Sequence, residues 1–168
     1  MNNSKRKHII LLVLVLVFSA NTLAGVQIGD IPYESLGKTV DSKEVLVKNF
    51  KGKVVVITFW ATWCPPCMKE IPVLSGIQKK VGTDELQVIA VNFKEKKKMF
   101  RSIADALQDN PMIITYDRNS KVAKKYGVKA IPHMFIVGRD GKVAATHVGY
   151  SADSLPGLVE EINALLAQ

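Results

Sequence analysis

Only two cysteines occur among the 168 residues of this chain, and its longest apolar run, Ile9 to Phe18, stops after ten residues. A membrane-crossing helix needs about 20, so that run is too short to span. No internal repeat recurs, no tract is of low complexity and no linker divides the chain, so neither a repeat architecture nor a second domain is expected. Acidic residues are the scarcer charge, 15 against 23 basic. The Lys and Arg are scattered rather than striped, so no nucleic-acid partner is expected, and an acidic partner or a phospholipid surface has little support.

What surrounds the apolar run gives it a purpose. Lys5, Arg6, Lys7 and His8 precede it, and Thr22-Leu23-Ala24 follow with small residues. A basic start, a short apolar stretch and a small-residue end make an export leader, so residues 1–24 are expected to be a signal peptide cleaved after Ala24. An uncleaved membrane anchor is the alternative. No cysteine stands at the end of the run, which argues against a lipid anchor. Residues 25–168 are long enough for one domain with a substantial core. The leader removes three basic and no acidic residues, so the net charge falls from +8 to +5. The mature protein is expected in the periplasm or otherwise outside the cytoplasm.

Both cysteines fall in Trp63-Cys64-Pro65-Pro66-Cys67. Outside the cytoplasm a disulfide persists, so the pair has a structural reading as a staple. Closing so short a loop, however, removes little unfolded-chain entropy, about 2 kcal/mol at most, and strain can cancel it. A pair this close suits exchange between dithiol and disulfide better. At a helix start, the first thiol is the exposed one and is held partly as thiolate.

Gln27 to Val40 is rich in Gly, Pro and Asp and reads as an irregular lead-in, with a short strand at Val45 to Val47 and a turn at Lys51-Gly52-Lys53. Val54 to Trp60 and Leu86 to Phe93 are near-continuous apolar runs, as in strands buried on both faces. Ile71, Leu74, Ile77 and Val81 give Lys69 to Val81 a helical spacing, with Pro72 placed to kink it. A helix over Lys96 to Leu107, a strand over Met112 to Tyr116 and a short helix over Asn119 to Tyr126, stopped by Gly127, follow. Met134 to Val137 and Lys142 to His147 flank Arg139-Asp140-Gly141 as a hairpin. Ser151 to Ala167 is the last helix, with Leu155, Leu158, Val159, Ile162, Leu165 and Leu166 on one face. A parallel β-α-β half joined to an antiparallel hairpin, with helices on both faces, satisfies this order.

The segment Phe59-Trp60-Ala61-Thr62-Trp63-Cys64-Pro65-Pro66-Cys67 resembles the active-site stretch of exported thioredoxin-fold reductases of the TlpA/ResA/DsbE type. The resemblance extends to Gly29-Asp30-Ile31-Pro32, to Gly52-Lys53-Val54-Val55-Val56 and to Gly127-Val128-Lys129-Ala130-Ile131-Pro132, so it covers nearly all of residues 25–168. It implies an α/β thioredoxin fold: a central mixed sheet flanked by helices on both faces, with an inserted strand-helix unit and an N-terminal extension. It also implies a thiol:disulfide oxidoreductase whose redox-active disulfide joins Cys64, the attacking thiol, to Cys67, the resolving one. Disulfide-containing exported proteins would be the substrates and a membrane protein the electron donor, with a role in cytochrome c maturation, a monomeric state, and no cofactor or metal. Glu70 would lie near the thiols and tune them. Ile131-Pro132 would be a cis peptide beside Cys64, with the Ile131 backbone, Trp63, Pro65 and Pro66 meeting the substrate.

Several of these residues also have plain readings. Pro65 and Pro66 suit a first helical turn, and the N–H groups they lack are donors a Cys64 thiolate would otherwise use, which points to a reductant's poise. Glu70 alone is an ordinary acid of a first helical turn, and Pro132 a strand-entry proline. Trp60 reads first as core packing, and Lys94-Glu95-Lys96-Lys97-Lys98 as a solvated helix start. Thr58 stands where cytosolic thioredoxins carry a buried aspartate, which places more weight on Glu70. A copper-binding reading would join Cys64, Cys67 and His133 as soft ligands. A peroxidase reading lacks its threonine, Ala61 standing there, and its proline, Ile57 standing there.

Overall fold

A computed structural model describes residues 25–168; the leader read at 1–24 lies outside the described residues. Along the chain come β1 (Ser35–Lys38), β2 (Glu44–Leu46), β3 (Val54–Trp60), α1 (Pro65–Val81), β4 (Leu86–Phe93), α2 (Lys97–Ala106), β5 (Ile113–Asp117), α3 (Lys121–Tyr126), β6 (His133–Val137), β7 (Val143–Val148) and α4 (Leu155–Leu166). Short 3-10 turns occupy Val47–Phe50 and Ala152–Ser154. The strands form one sheet in the order β2-β1-β5-β4-β3-β6-β7. The pairs β3–β4 and β4–β5 are parallel; the remaining pairs are antiparallel.

The two apolar runs become the two central strands because every residue of each is buried. Period-two alternation sends their side chains to opposite faces. Val54, Val56 and Trp60, with Leu86, Val88 and Ala90, pack against Leu74 of α1, Phe100 of α2 and Leu158 and Ile162 of α4. Val55, Ile57 and Phe59, with Ile89, Val91 and Phe93, pack against Val122, Ala123 and Tyr126 of α3. On that second face Phe59, Tyr126 and Phe135 meet with ring centroids 5.0 to 6.1 Å apart. Burying each such side chain contributes about 1.5–3 kcal/mol. The expected thioredoxin fold is therefore present, with helices on both faces. The inserted unit is α2 with β5, between β4 and α3.

Two sequence expectations need correction. The lead-in Gln27 to Val40 contains a strand: Lys38 of β1 pairs with Tyr116 of β5 and Thr115 Oγ1 donates to the Leu36 carbonyl at 2.5 Å. Only Leu36 of that strand and its neighbour Gly37 are buried, too few to make a periodic signal. The lead-in also crosses to the other side of the sheet, where Gly29 N–H donates to Val143 O at 2.8 Å and Val143 N–H to Asp30 O at 2.9 Å. Val159 turns outward, leaving Leu158 and Ile162 as the buried positions of α4. Helix α1 includes Pro72 and ends at Val81, both as expected. Its buried Gln78 ties it to the sheet, donating to Leu86 O at 2.7 Å and accepting from Val88 N–H at 2.5 Å.

Gly127 ends α3 as expected, in the left-handed region at φ 74°. Any side chain there would also meet Gly25, whose Cα lies 2.7 Å from where a Cβ would be. The chain then runs into the Ile131–Pro132 peptide, which is cis.

Candidate active site

The site forms where β3 ends and α1 begins. Cys64 is the N-cap of α1, in extended conformation (φ −103°, ψ 101°), with Pro65 and Pro66 at the first helical positions. The cysteines are joined as a disulfide, with Cα atoms 5.3 Å apart. Cys64 is 4% exposed and Cys67 fully buried, so the expected order of access holds while both sulfurs lie deeper than a surface thiol. Pro65 and Pro66 carry no N–H, and the Met68 N–H is used by Cys64 O at 3.2 Å. That leaves the Cys67 N–H as the first-turn donor reaching Cys64 Sγ, at 3.3 Å. A thiolate at Cys64 gains one backbone hydrogen bond where a helix start without prolines offers more.

Across from the helix, the cis peptide brings the Ile131 carbonyl oxygen to 3.6 Å from Cys64 Sγ. Pro132 is buried and Ile131 partly exposed, so this stretch of backbone borders the sulfur. Trp63 stands on the other side, 55% exposed, with its indole Nε1 donating to Lys94 O at 3.3 Å. Pro65 is exposed and Pro66 partly so. Trp60 belongs to the core beneath, as its packing reading had it.

Glu70 is no solvated first-turn acid. It lies one turn beyond Cys67 with 1% of its surface exposed, and it accepts a hydrogen bond from Thr58 Oγ1 at 2.6 Å. Burial pushes its carboxyl up from 4.5 to about 7; the Thr58 hydrogen bond and the charge of His147 pull in the opposite direction. Desolvation wins because an ionised carboxylate loses water that one hydroxyl does not replace. The buried carboxyl thus comes from the helix, with strand residue Thr58 as its donor.

His133 does not join the cysteines. Its ring stacks on Phe135 at 4.4 Å between centroids, and its Nε2 faces Thr146 Oγ1 at 3.1 Å. Burial holds its pKa below the usual histidine value. Among the described residues no group of three His, Cys, Asp or Glu side chains is gathered as a metal ion requires, so the copper arrangement of Cys64, Cys67 and His133 is not formed.

Two residues escaped the sequence reading. Glu95 reads from sequence as part of a solvated charge run. Its Oε2 instead accepts from both the N–H (3.0 Å) and the Oγ1 (2.7 Å) of Thr62, and its carbonyl from Tyr116 Oη (2.7 Å). With the Trp63–Lys94 bond this clamps the loop after β4 to the residues entering Cys64. Nothing in a run of charges signals which member turns inward. His147 follows Val143 and Ala145 at alternate positions of β7, and that alternation was the available signal that it faces inward.

A motif at a helix start, a cis proline against its first sulfur and a thioredoxin-type sheet describe a disulfide-exchange site. The family model described as Redoxin matches residues 27–166. The chain belongs to the Redoxin family. Sporulation thiol-disulfide oxidoreductase A of Bacillus subtilis is 27% identical over 157 residues, covering 92% of this chain and 94% of that protein. Thiol-disulfide oxidoreductase ResA of Bacillus thuringiensis is 32% identical over 104 residues, covering 62% of this chain and 60% of that one. A crystal structure from Chlorobium tepidum, assigned as thiol:disulfide interchange protein DsbE, superposes with a TM-score of 0.72 at 30% identity, covering 84% of this chain and 99% of the other. This Redoxin member is a thiol:disulfide oxidoreductase of the ResA/DsbE type, acting on disulfide-containing substrates through its CxxC pair.

Proposed function

We propose that the protein is an exported reductase. Residues 1–24 act as a cleaved leader, and 25–168 work as a monomer in the periplasm or its equivalent, kept reduced by a membrane electron donor. Cys64 attacks a substrate disulfide: a Cys64–substrate bond forms, and the departing substrate sulfur takes the electron pair and then a proton. Cys67 next attacks Cys64, closing the intramolecular disulfide and freeing the second substrate thiol. Glu70 takes the Cys67 proton as that thiol becomes nucleophilic. The backbone at cis Ile131–Pro132 pairs with the substrate strand, while Trp63, Pro65 and Pro66 border it. Apocytochrome c is the substrate class favoured by the resemblance to ResA- and DsbE-type proteins.

The observation that carries the reducing direction is the sparse donor set at Cys64, one N–H with two prolines where donors would stand. A thiolate so weakly stabilised makes the dithiol state a better reductant. Redox titration of the Cys64–Cys67 pair is expected to give a potential on the thioredoxin side, about −270 mV. A value near that of strong oxidants, about −120 mV, would overturn the reductase reading.

A further inference from the structure

Glu70 has to exchange its proton with water at a moment when the Cys64 face is covered. In the mixed disulfide the substrate is bonded to Cys64 and lies over Ile131–Pro132, between Trp63 and the helix start. A buried acid behind that face needs another way out. This reasoning rests on the exchange mechanism proposed above.

A second opening exists. A cavity of about 320 Å³ reaches Glu70 from the side of β7 and the start of α4, lined among others by Met134, His147, Tyr150, Ser154 and Leu158. Neither cysteine lines it, nor do Trp63, Ile131 and Pro132. His147 Nε2 lies 2.7 Å from Glu161 Oε2, and the two side chains are 36% and 43% exposed, so the pair joins the cavity lining to bulk water. Thr58 of β3 holds Glu70 Oε2, and His147 of β7 is the ionisable side chain whose charge acts on Glu70. Glu161 of α4 acts through His147, and Cys67 precedes Glu70 by one turn of α1.

We propose that this cavity is the proton port of Glu70, and that the His147–Glu161 pair relays protons between it and solvent. An imidazole suits the task because it accepts a proton at one nitrogen and releases one from the other. In the resolving step the Cys67–Cys64 bond forms and the Cys64–substrate bond breaks. The electron pair of the broken bond leaves on the substrate thiolate, which takes a proton from water. The Cys67 proton passes to the Glu70 carboxylate and then leaves through the port. No electron travels that way.

The test uses the reduced full chain and compares two substrates. A disulfide-bonded protein such as insulin covers the Cys64 face; a small aryl disulfide leaves it open to water. In His147→Gln and Ser154→Trp, which remove the relay and obstruct the cavity, the ratio of resolving rates, protein substrate over small disulfide, is expected to fall about tenfold. His147→Gln should also raise the pH midpoint of the resolving step, since the charge beside Glu70 is gone. A ratio within about twofold of the parent in Ser154→Trp overturns the port. An unchanged ratio and midpoint in His147→Gln overturn the relay. Failure of the parent to reduce either substrate would instead overturn the reductase reading, so the two failures are distinguishable.

Discussion

Cys64→Ser is expected to lower disulfide reduction by about a thousandfold or more, because a hydroxyl cannot form the mixed disulfide on which exchange depends. Cys67→Ser should lose turnover to a similar degree but in a different way. Its Cys64 still attacks, and with no resolving thiol one way forward is closed, so one substrate molecule stays bound per chain. Mass spectrometry after mixing with a disulfide-bonded substrate separates the two: no adduct on the first variant, one adduct on the second. The parent has no other cysteine to substitute for either. Turnover in both variants at the parent's rate would mean that the motif is a local staple and that the reaction lies elsewhere.

Glu70→Gln should remove a pH dependence of stability that the parent carries. The Glu70 carboxyl sits at about 7 in the folded protein against an ordinary 4.5. For an acid whose folded pKa is raised, the proton is held more tightly by the folded state. Its favourable contribution is complete below the ordinary value and is lost as the pH rises through the folded one. The loss amounts to about 3 kcal/mol between pH 4.5 and 8 for a group this buried. Glutamine keeps the acceptor for Thr58 but never ionises. The difference in unfolding free energy between variant and parent should therefore grow by about 3 kcal/mol in the variant's favour across that range. Denaturant titrations of the oxidised proteins at the two ends measure it, since a closed disulfide removes thiol titration. The shifted His133 is common to both and cancels. Parallel curves would show that the Glu70 carboxyl keeps its ordinary pKa within the fold.

The same substitution bears on chemistry. Below pH 7 the protonated acid cannot accept the Cys67 proton; above it the carboxylate can, although its charge opposes a free thiolate there. Glutamine should flatten the corresponding limb of the pH–rate profile.

How much of this could be read in the residues follows from where the information resides. Strands β3 and β4 were legible to the residue because a strand buried on both faces has to be apolar throughout, and few other elements are. The hairpin of β6 and β7 was announced by its turn residues, and the start of α1 by two adjacent prolines, which suit a first turn. The cis geometry before Pro132 followed from the resemblance, not from the local sequence, since an X–Pro bond is usually trans. Strand β1 was hidden because four residues with one buried leucine make no pattern; its place is set by backbone pairing with β5. Glu70 could be placed on the helix but not buried from sequence alone. Its depth depends on Thr58 across from it and on the fit of α1 against β3. Glu95 and the His147–Glu161 pair depend wholly on tertiary approach, between residues 33 and 14 positions apart.

The most direct measurement of the central claim is a thiol count during turnover. Reduced protein is mixed with a disulfide-bonded substrate, quenched at intervals by alkylation, and weighed. Two protein thiols, at Cys64 and Cys67, are expected to disappear for each substrate disulfide opened. Substrate reduction with both protein thiols still free would contradict the claim.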